Sequence, residues 1–444
     1  MQEAAGLQEA AALRYLLEAE QAAGEGLPGG LEARRVGVVG AGTMGAGIAL
    51  SCSLARLEVE LVDADSSALR AGLERIETML ESAVRKGRLT VRAAEEARSR
   101  VRSNLGLEVL SEVDLIIEAV FEDAGVKQAV FTQLGSIARP EALLATNTST
   151  LDVEVIARAS GRPSDVVGMH FFSPAHVMRL LEIVRTPRSS VEALATALAT
   201  ARRLGKLGVV VGNGFGFVGN RMLYAYGRER ELMLLEGAAP ERIDRALEAF
   251  GMAMGPNAVS DLAGIDIGVA ARRQWRERPD DPRWYRISEL LVERGRLGRK
   301  CGRGFYRYSG TERRRESDSE VHELIAAEAR RLGIARREIP EEEITERCLL
   351  ALINEGAYVL AEGIASTGSD IDVIWCNGYG FPRARGGPMF YADTLGLGWV
   401  IERIEHYARE QGARYWRAAP LLARLAKEGG RISEWRDVAP EPVP

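Results

Sequence analysis

The chain has 444 residues, and at about 150 residues per domain that length allows roughly three domains and more than one sizeable core. With 58 Lys and Arg against 63 Asp and Glu, a net charge of −5, it lacks the basic excess of a nucleic-acid binder or an anionic-membrane binder. Hydrophobic content of 46 % and charged content of 27 % are those of an ordinary globular protein, and the four cysteines are too scattered for a disulfide framework or a zinc site.

Residues 7–23 carry one amphipathic helical pattern, closed by the Gly/Pro-rich stretch Gly24–Gly30, which reads as a linker. The opening residues carry acids rather than the basic and apolar regions of a secretory signal. No apolar run reaches the ~18 residues of a membrane span. Val443-Pro444 is not a peroxisomal address, so a cytoplasmic, reducing compartment is expected.

From Val36 onward, short β-branched runs alternate with helical segments. The candidate strands are VGVVG, VELVD, DLIIEAV, ALLATNT, VVGMHF, LLEIV and LGVVVG, and stretches such as 66–87 and 190–205 are helical between them. This alternation predicts a mainly parallel sheet with helical crossovers. After Gly216 long helical patterns take over, interrupted by a highly charged connector within 311–343. An internal repeat spans the connector: Glu236 recurs as Glu362 at an offset of 126, and Gly264 as Gly396 at an offset of 132, so two related helical units are expected.

Gly40-Ala41-Gly42-Thr43-Met44-Gly45 follows the first strand and opens a helix. Gly40 allows the tight turn, Gly42 lets backbone approach a pyrophosphate, and Gly45 lets helix pack on strand, with Thr43 and Met44 on the turn between them. The next strand ends at Asp63, 18 residues past Gly45, where a carboxylate can take both ribose hydroxyls and repel a 2′-phosphate. NAD is therefore favoured over NADP.

Histidine occurs four times, at His170, His176, His322 and His406. His170 ends a predicted strand in the α/β region, where active-site groups of open sheets gather. Glu182, 12 residues on, lies in the apolar run LLEIV, where a carboxylate is costly unless paired. The two could form a general base with its orienting acid or a structural His–Glu pair, and spacing alone leaves both open.

The runs NTSTL, GMHFFSPAHVMRLLEIV, GFGFVGNRM and GRKCGRGFYRY, following GAGTMGAGIA, resemble the L-3-hydroxyacyl-CoA dehydrogenase family over about residues 35–310. The later NGYGFPRARGGPMFYAD resembles the last domain of multifunctional fatty-acid oxidation enzymes, and the opening helix resembles their linker after a hydratase domain. The resemblance implies an α/β plus all-α architecture. A Rossmann-like NAD-binding domain (34–213) would follow a linker helix (1–33). Two related helical 6-phosphogluconate-dehydrogenase-like C-terminal domains (214–310 and 341–444) would flank the connector (311–340). It also implies NAD as cofactor, a CoA thioester substrate, and NAD-dependent oxidation of an L-3-hydroxyacyl-CoA. No hydratase domain precedes the opening helix, so hydration is not expected.

Matched by motif, His170 is the catalytic base, Glu182 its orienting acid, Asn220 a substrate contact near the reacting carbon, and Ser149 a group that hydrogen-bonds the substrate and cofactor region. Glu122, Lys127 and Lys300 match contacts to the nicotinamide ribose. The family's frequent asparagine after HFF is Ser173 here, a shorter substrate contact. Arg70, Arg75 and Lys86 are candidates for the CoA phosphates. Only five cations are lysines, Lys86, Lys127, Lys206, Lys300 and Lys427; Lys→Arg at Lys127 or Lys300 should weaken NAD binding, whereas Lys206→Arg and Lys427→Arg should be silent. The second repeat carries Glu346 where the first carries Asn220, and no second NAD motif, so it should pack on the first as a pseudo-dimer within one chain. A monomer or weak oligomer follows, with a hydratase or thiolase as candidate partner. The alternative reading is a catalytically idle NAD-binding subunit or scaffold of a β-oxidation assembly.

Overall fold

A computed structural model describes residues 2–23, 25, 27, 30–310 and 314–436, with side chains from residue 6 onward. The Gly24–Gly30 linker falls largely outside the described residues, and Val443-Pro444 wholly so. The chain divides into two compact units, one comprising Leu17–Val218 with Gly363–Ser366, the other Met1–Leu16, Gly219–Glu362 and Thr367–Pro444.

After helix α1 (Gln2–Ala23), the first unit runs β1 (Arg35–Val39), α2 (Thr43–Leu54), β2 (Glu58–Val62), α3 (Ser66–Arg85), α4 (Val91–Ser99), β3 (Val101–Asn104), β4 (Leu115–Glu118), α5 (Ala124–Ile137), β5 (Leu143–Thr146), α6 (Val153–Ala159), β6 (Val166–Phe171), β7 (Leu180–Arg185), α7 (Val191–Arg203) and β8 (Leu207–Gly212). The strands form one eight-stranded sheet in the order β3-β2-β1-β4-β5-β6-β7-β8. Every neighbouring pair is parallel except β6 and β7. This is the doubly wound, Rossmann-like architecture expected from the alternation, with β1 and β4 at the point where strand order reverses and a crevice opens at the carboxyl ends.

The central strands are continuous apolar runs because helices cover both sheet faces. Val36, Val38, Leu61, Leu115, Ile117 and Ala145 are buried on one side with Ile48, Leu50 and Leu69, and Val39, Ile116 and Leu144 on the other with Phe131 and Leu134. β3 was not among the expected strands. As the sheet edge it reads VRSN with half-buried ends and an exposed middle, and so lacks the apolar signature of its neighbours.

The second unit is helical: α8 (Gly219–Glu236), α9 (Pro240–Phe250), α10 (Pro256–Ala263), α11 (Ile265–Arg273), α12 (Arg286–Glu293), a hairpin of β9 (Arg307–Ser309) and β10 (Arg314–Glu316), then α13 (Ser319–Arg331), α14 (Glu341–Ala361), α15 (Gly368–Gly378), α16 (Pro388–Leu395), α17 (Leu397–Gln411) and α18 (Pro420–Glu428). The repeat offset of 126 turns Arg221, Glu229 and Glu236 of α8 into Arg347 and Glu355 of α14 and Glu362 just past its end. These residues pair reciprocally. Arg221 lies 2.8 Å from Glu355 and 2.8 Å from Glu362, and Arg347 lies 3.0 Å from Glu229 and 3.1 Å from Glu236. Residue i of one copy meeting residue j of the other, and the converse, is the contact pattern of a two-fold interface.

A second correspondence involves α1. In the first copy Asp244 accepts from the Asn257 and Ala258 amides and from the Tyr306 hydroxyl at 2.8 Å. In the second copy Asp372 accepts from the Met389 and Phe390 amides and from the hydroxyl of Tyr15 at 2.7 Å. The opening helix thus supplies to the second copy the tyrosine that the first copy supplies to itself, and residues up to Leu16 group with the helical unit.

Candidate active site

The glycine turn between β1 and α2 is built for close backbone approach. Gly40 has φ +103°, and a Cβ there would sit 2.6 Å from the Ala119 carbonyl; a Cβ on Gly45 would fall 1.7 Å from the Gly40 oxygen. Gly42, at the N-cap of α2, has no side-chain cap, and a Cβ on it would meet open space. Asp63, just past β2, accepts from the Ala41 amide at 2.8 Å and from the Asp65 amide at 3.0 Å. A carboxylate has about four acceptor sites, so two remain for a pair of vicinal hydroxyls. An open helix N-terminus beside an oriented carboxylate fits a dinucleotide. Gly42→Ala should therefore leave the melting temperature unchanged while weakening NADH binding by about tenfold, near 1.4 kcal/mol, in a fluorescence titration. Gly45→Ala should lower the melting temperature itself, since its Cβ meets backbone.

Arg75 of α3, an exposed residue, donates to the Ala41 carbonyl of the glycine turn at 3.2 Å.

At the carboxyl end of β4, two glutamates share one lysine. Lys127 of α5, only 1 % exposed, donates to Glu118 at 2.7 Å and lies 3.4 Å from Glu122. Glu118 also accepts from the Val120 amide and the Thr146 hydroxyl, each at 2.7 Å. Glu122 accepts from the Thr148 hydroxyl at 2.6 Å and from the amide and hydroxyl of Ser149 at 2.8 and 3.2 Å. Burial alone would raise the Glu122 carboxyl; Lys127, Thr148 and Ser149 outweigh it and hold it below its ordinary value. Lys127 is therefore a buried brace for the β4–α5 loop bearing Glu122, which in turn holds Ser149 of the β5–α6 loop.

His170 stands near the end of β6, and the antiparallel register sets Glu182 of β7 directly across from it. Its Nδ1 lies 2.7 Å from Glu182 Oε2, with the imidazole 8 % exposed and the carboxylate fully buried. Phe172 and Phe217 flank the ring at 4.6 and 5.7 Å between centroids. A carboxylate on Nδ1 fixes the tautomer with the proton on that nitrogen, leaving the Nε2 lone pair to accept a proton. Asn147 steadies the same strand end, its Oδ1 accepting from the Phe171 amide at 2.9 Å.

The structure thus brings together His170 with Glu182, Glu122 with Lys127 and Ser149, and Asp63 with the glycine turn. Ser173 is exposed in the loop after β6. Asn220 and Lys300 belong to the helical unit. There Asn220 Oδ1 accepts from the Tyr379 hydroxyl at 2.9 Å, and Lys300 pairs with Asp266 at 2.6 Å. Glu118, Asn147 and Tyr379 were not singled out in the sequence. Glu118 had the available signal, a carboxylate closing the apolar strand LIIE. Lys206, whose exchange for arginine is expected to be silent, is buried, and its ammonium donates to the carbonyls of Ala175 and Met178 at 2.6 and 2.7 Å.

Among the described residues no helix is long and apolar enough to cross a membrane, and no group of three or more His, Cys, Asp or Glu could hold a metal ion.

Comparison with known proteins gives a consistent picture. The family model described as 3-hydroxyacyl-CoA dehydrogenase, NAD binding domain, matches residues 35–214, and that described as 3-hydroxyacyl-CoA dehydrogenase, C-terminal domain, matches twice, over 216–308 and 344–434. The peroxisomal bifunctional enzyme of Danio rerio is 42 % identical over 91 % of this chain, and that of Homo sapiens 41 % over 92 %. The chain spans 58 % of the length of each of these curated relatives. The crystal structure of 3-hydroxybutyryl-CoA dehydrogenase from Escherichia coli superposes with a TM-score of 0.75 at 27 % identity, covering 90 % of this chain and 99 % of that one. That of the dehydrogenase part of multifunctional enzyme 1 from C. elegans gives 0.68 at 30 % identity, covering 92 % and 96 %.

Proposed function

The chain belongs to the 3-hydroxyacyl-CoA dehydrogenase family, and from that premise we propose that it oxidises an L-3-hydroxyacyl-CoA to the 3-oxoacyl-CoA, with His170 and Glu182 as the working pair. The observation that carries this reading is the 2.7 Å contact between His170 Nδ1 and Glu182 Oε2, at the carboxyl edge of a sheet whose glycine turn and Asp63 fit NAD. Bound NAD supplies the hydride acceptor. His170 Nε2 takes the 3-hydroxyl proton, and the buried Glu182 carboxylate stabilises the imidazolium that results. In this reading Ser149, which donates to Glu122, hydrogen-bonds the substrate and cofactor region, and Glu122, paired with Lys127, meets the nicotinamide ribose; their mutual contacts support it. Asn220, Lys300 and Ser173 enter this reading through their motifs. The fully built His–Glu pair weighs against an idle scaffold.

The reciprocal pairing of Arg221 and Arg347 supports reading the two helical copies as a pseudo-dimer closed within one chain, and hence a monomer or weak oligomer. The domain limits we adopt are those of the sequence reading, except that α1 as far as Leu16 serves the second helical copy. Relatives named as bifunctional or multifunctional support a second enzyme, a hydratase or thiolase, as partner. We retain cytoplasm as the compartment, although the relatives are named for peroxisomes and glyoxysomes.

NADH absorbance with acetoacetyl-CoA tests the activity. Steady consumption of NADH is expected, with free acetoacetate slower by about 10²-fold, because binding of the CoA moiety is used at the reacting carbon. NADH binding without turnover would establish the scaffold reading instead.

A further inference from the structure

The loop between β6 and β7, residues 172–179, joins the strand of His170 to the strand of Glu182. Beneath it lies Lys206, the residue before β8, with its ammonium donating to the Ala175 and Met178 carbonyls of that loop at 2.6 and 2.7 Å and standing 5.7 Å from the Phe171 ring. The Ala175 carbonyl also accepts from Ser51 of α2 at 3.1 Å, so one loop atom is tied both to the lysine and to the helix of the glycine turn. From there the loop leads back through Phe172, whose ring packs on His170 at 4.6 Å.

A buried ammonium is costly when carbonyls rather than a carboxylate receive it. A methionine or leucine would fill the same volume without that cost, so this lysine needs a reason beyond packing. We propose that Lys206 is a positioning residue for the His170–Glu182 pair, its charge holding the connecting loop, and with it Phe172 and the His170 ring, in register with the cofactor helix. This inference rests on the dehydrogenase reading above.

The titratable groups facing Lys206 are Cys52 of α2 and His176 of the loop itself. Burial pushes the Lys206 ammonium down to about 8. It pushes the Cys52 thiol up to about 12, and it lowers His176, with Lys206 adding to that effect. Just below pH 8, then, Lys206 is charged while the Cys52 thiol and the His176 imidazole are neutral. As pH rises through 8 it loses its charge, and charge-assisted hydrogen bonds are roughly twice as strong as neutral ones, so the grip on the loop weakens.

The test compares wild type with Lys206→Met and with Lys206→Gln, which keeps a neutral donor. Lys206→Met should fold, because the Ala175 carbonyl keeps Ser51. Its kcat for acetoacetyl-CoA should fall on the order of tenfold to a hundredfold, as expected for misplacement of a catalytic group, with KM changed less than threefold. Lys206→Gln should lie between. The wild-type kcat should show a limb near pH 8 that Lys206→Met lacks. Two readouts need neither cofactor nor turnover. Hydrogen exchange of the amides of residues 172–179 should quicken in Lys206→Met. With only five lysines in the chain, 15Nζ spectra should show one titrating near pH 8, its signal missing from that variant. An inactive wild type would overturn the dehydrogenase reading. An active wild type with unchanged kcat, pH profile and loop exchange in Lys206→Met would overturn the role assigned to Lys206.

Discussion

Replacing His170 with alanine is expected to lower kcat for a 3-hydroxyacyl-CoA by about 10²–10⁴-fold, the usual contribution of a positioned general base, while NADH affinity stays within about twofold of wild type. The separation follows from geometry: the ring belongs to β6, whereas the glycine turn joins β1 to α2 and Asp63 lies just past β2. Glu182→Gln tests the partner. The buried carboxylate can only accept from Nδ1, which keeps the Nε2 lone pair available. An amide of the same shape can donate to Nδ1 instead, which moves the ring proton to Nε2 and blocks the base. It also removes the charge that stabilises the imidazolium. A loss on the order of 10²-fold or more is expected, with KM little changed. Stopped-flow NADH absorbance with the two variants checks both values, and a Glu182→Gln enzyme as fast as wild type would reduce the pair to a structural contact.

That this pair could be read from sequence, and other parts of the site could not, has a physical basis. A glutamate inside the apolar run LLEIV is improbable without a partner, and His170, 12 residues earlier at the end of a predicted strand, offers one. The antiparallel turn that makes them face each other appears only in the register of β6 and β7. The parallel strands announced themselves because helices bury them on both sides, whereas edge strand β3 meets solvent and carries no apolar run. Lys206 looks like any polar residue before a strand, because its role depends on a loop some thirty residues upstream. Tyr15 and Tyr379 act across separations of 357 and 159 residues, beyond the reach of local patterning. The repeat itself was legible, yet it is the folded α8 and α14 that turn equal offsets into reciprocal ion pairs.

Those ion pairs carry the second large prediction. Arg347 is fully buried, with Glu229, also fully buried, and the partly exposed Glu236 on its guanidinium and Glu343 at 3.5 Å. Burial opposes its charge, but Glu229 and Glu236 outweigh that effect and hold the arginine firmly protonated. Arg347→Met removes this cation and leaves buried Glu229 with Arg228, at 3.0 Å, as its remaining partner, a loss of about 3 kcal/mol, the low end for breaking a buried pair from one side. Its repeat counterpart Arg221 makes the same contacts 20 % exposed, where water screens the charges. Arg221→Met should therefore cost only about 1 kcal/mol. Adding Glu229→Gln and Glu236→Gln to Arg347→Met should recover part of the loss, because two carboxylates go with their partner while Arg228 loses the charge of Glu229. Urea unfolding followed by far-UV circular dichroism distinguishes the outcomes. Equal effects at Arg221 and Arg347 would mean that burial does not set the strength of this interface, whereas a large loss at Arg347 alone would place the joint between the two helical copies on its more buried half.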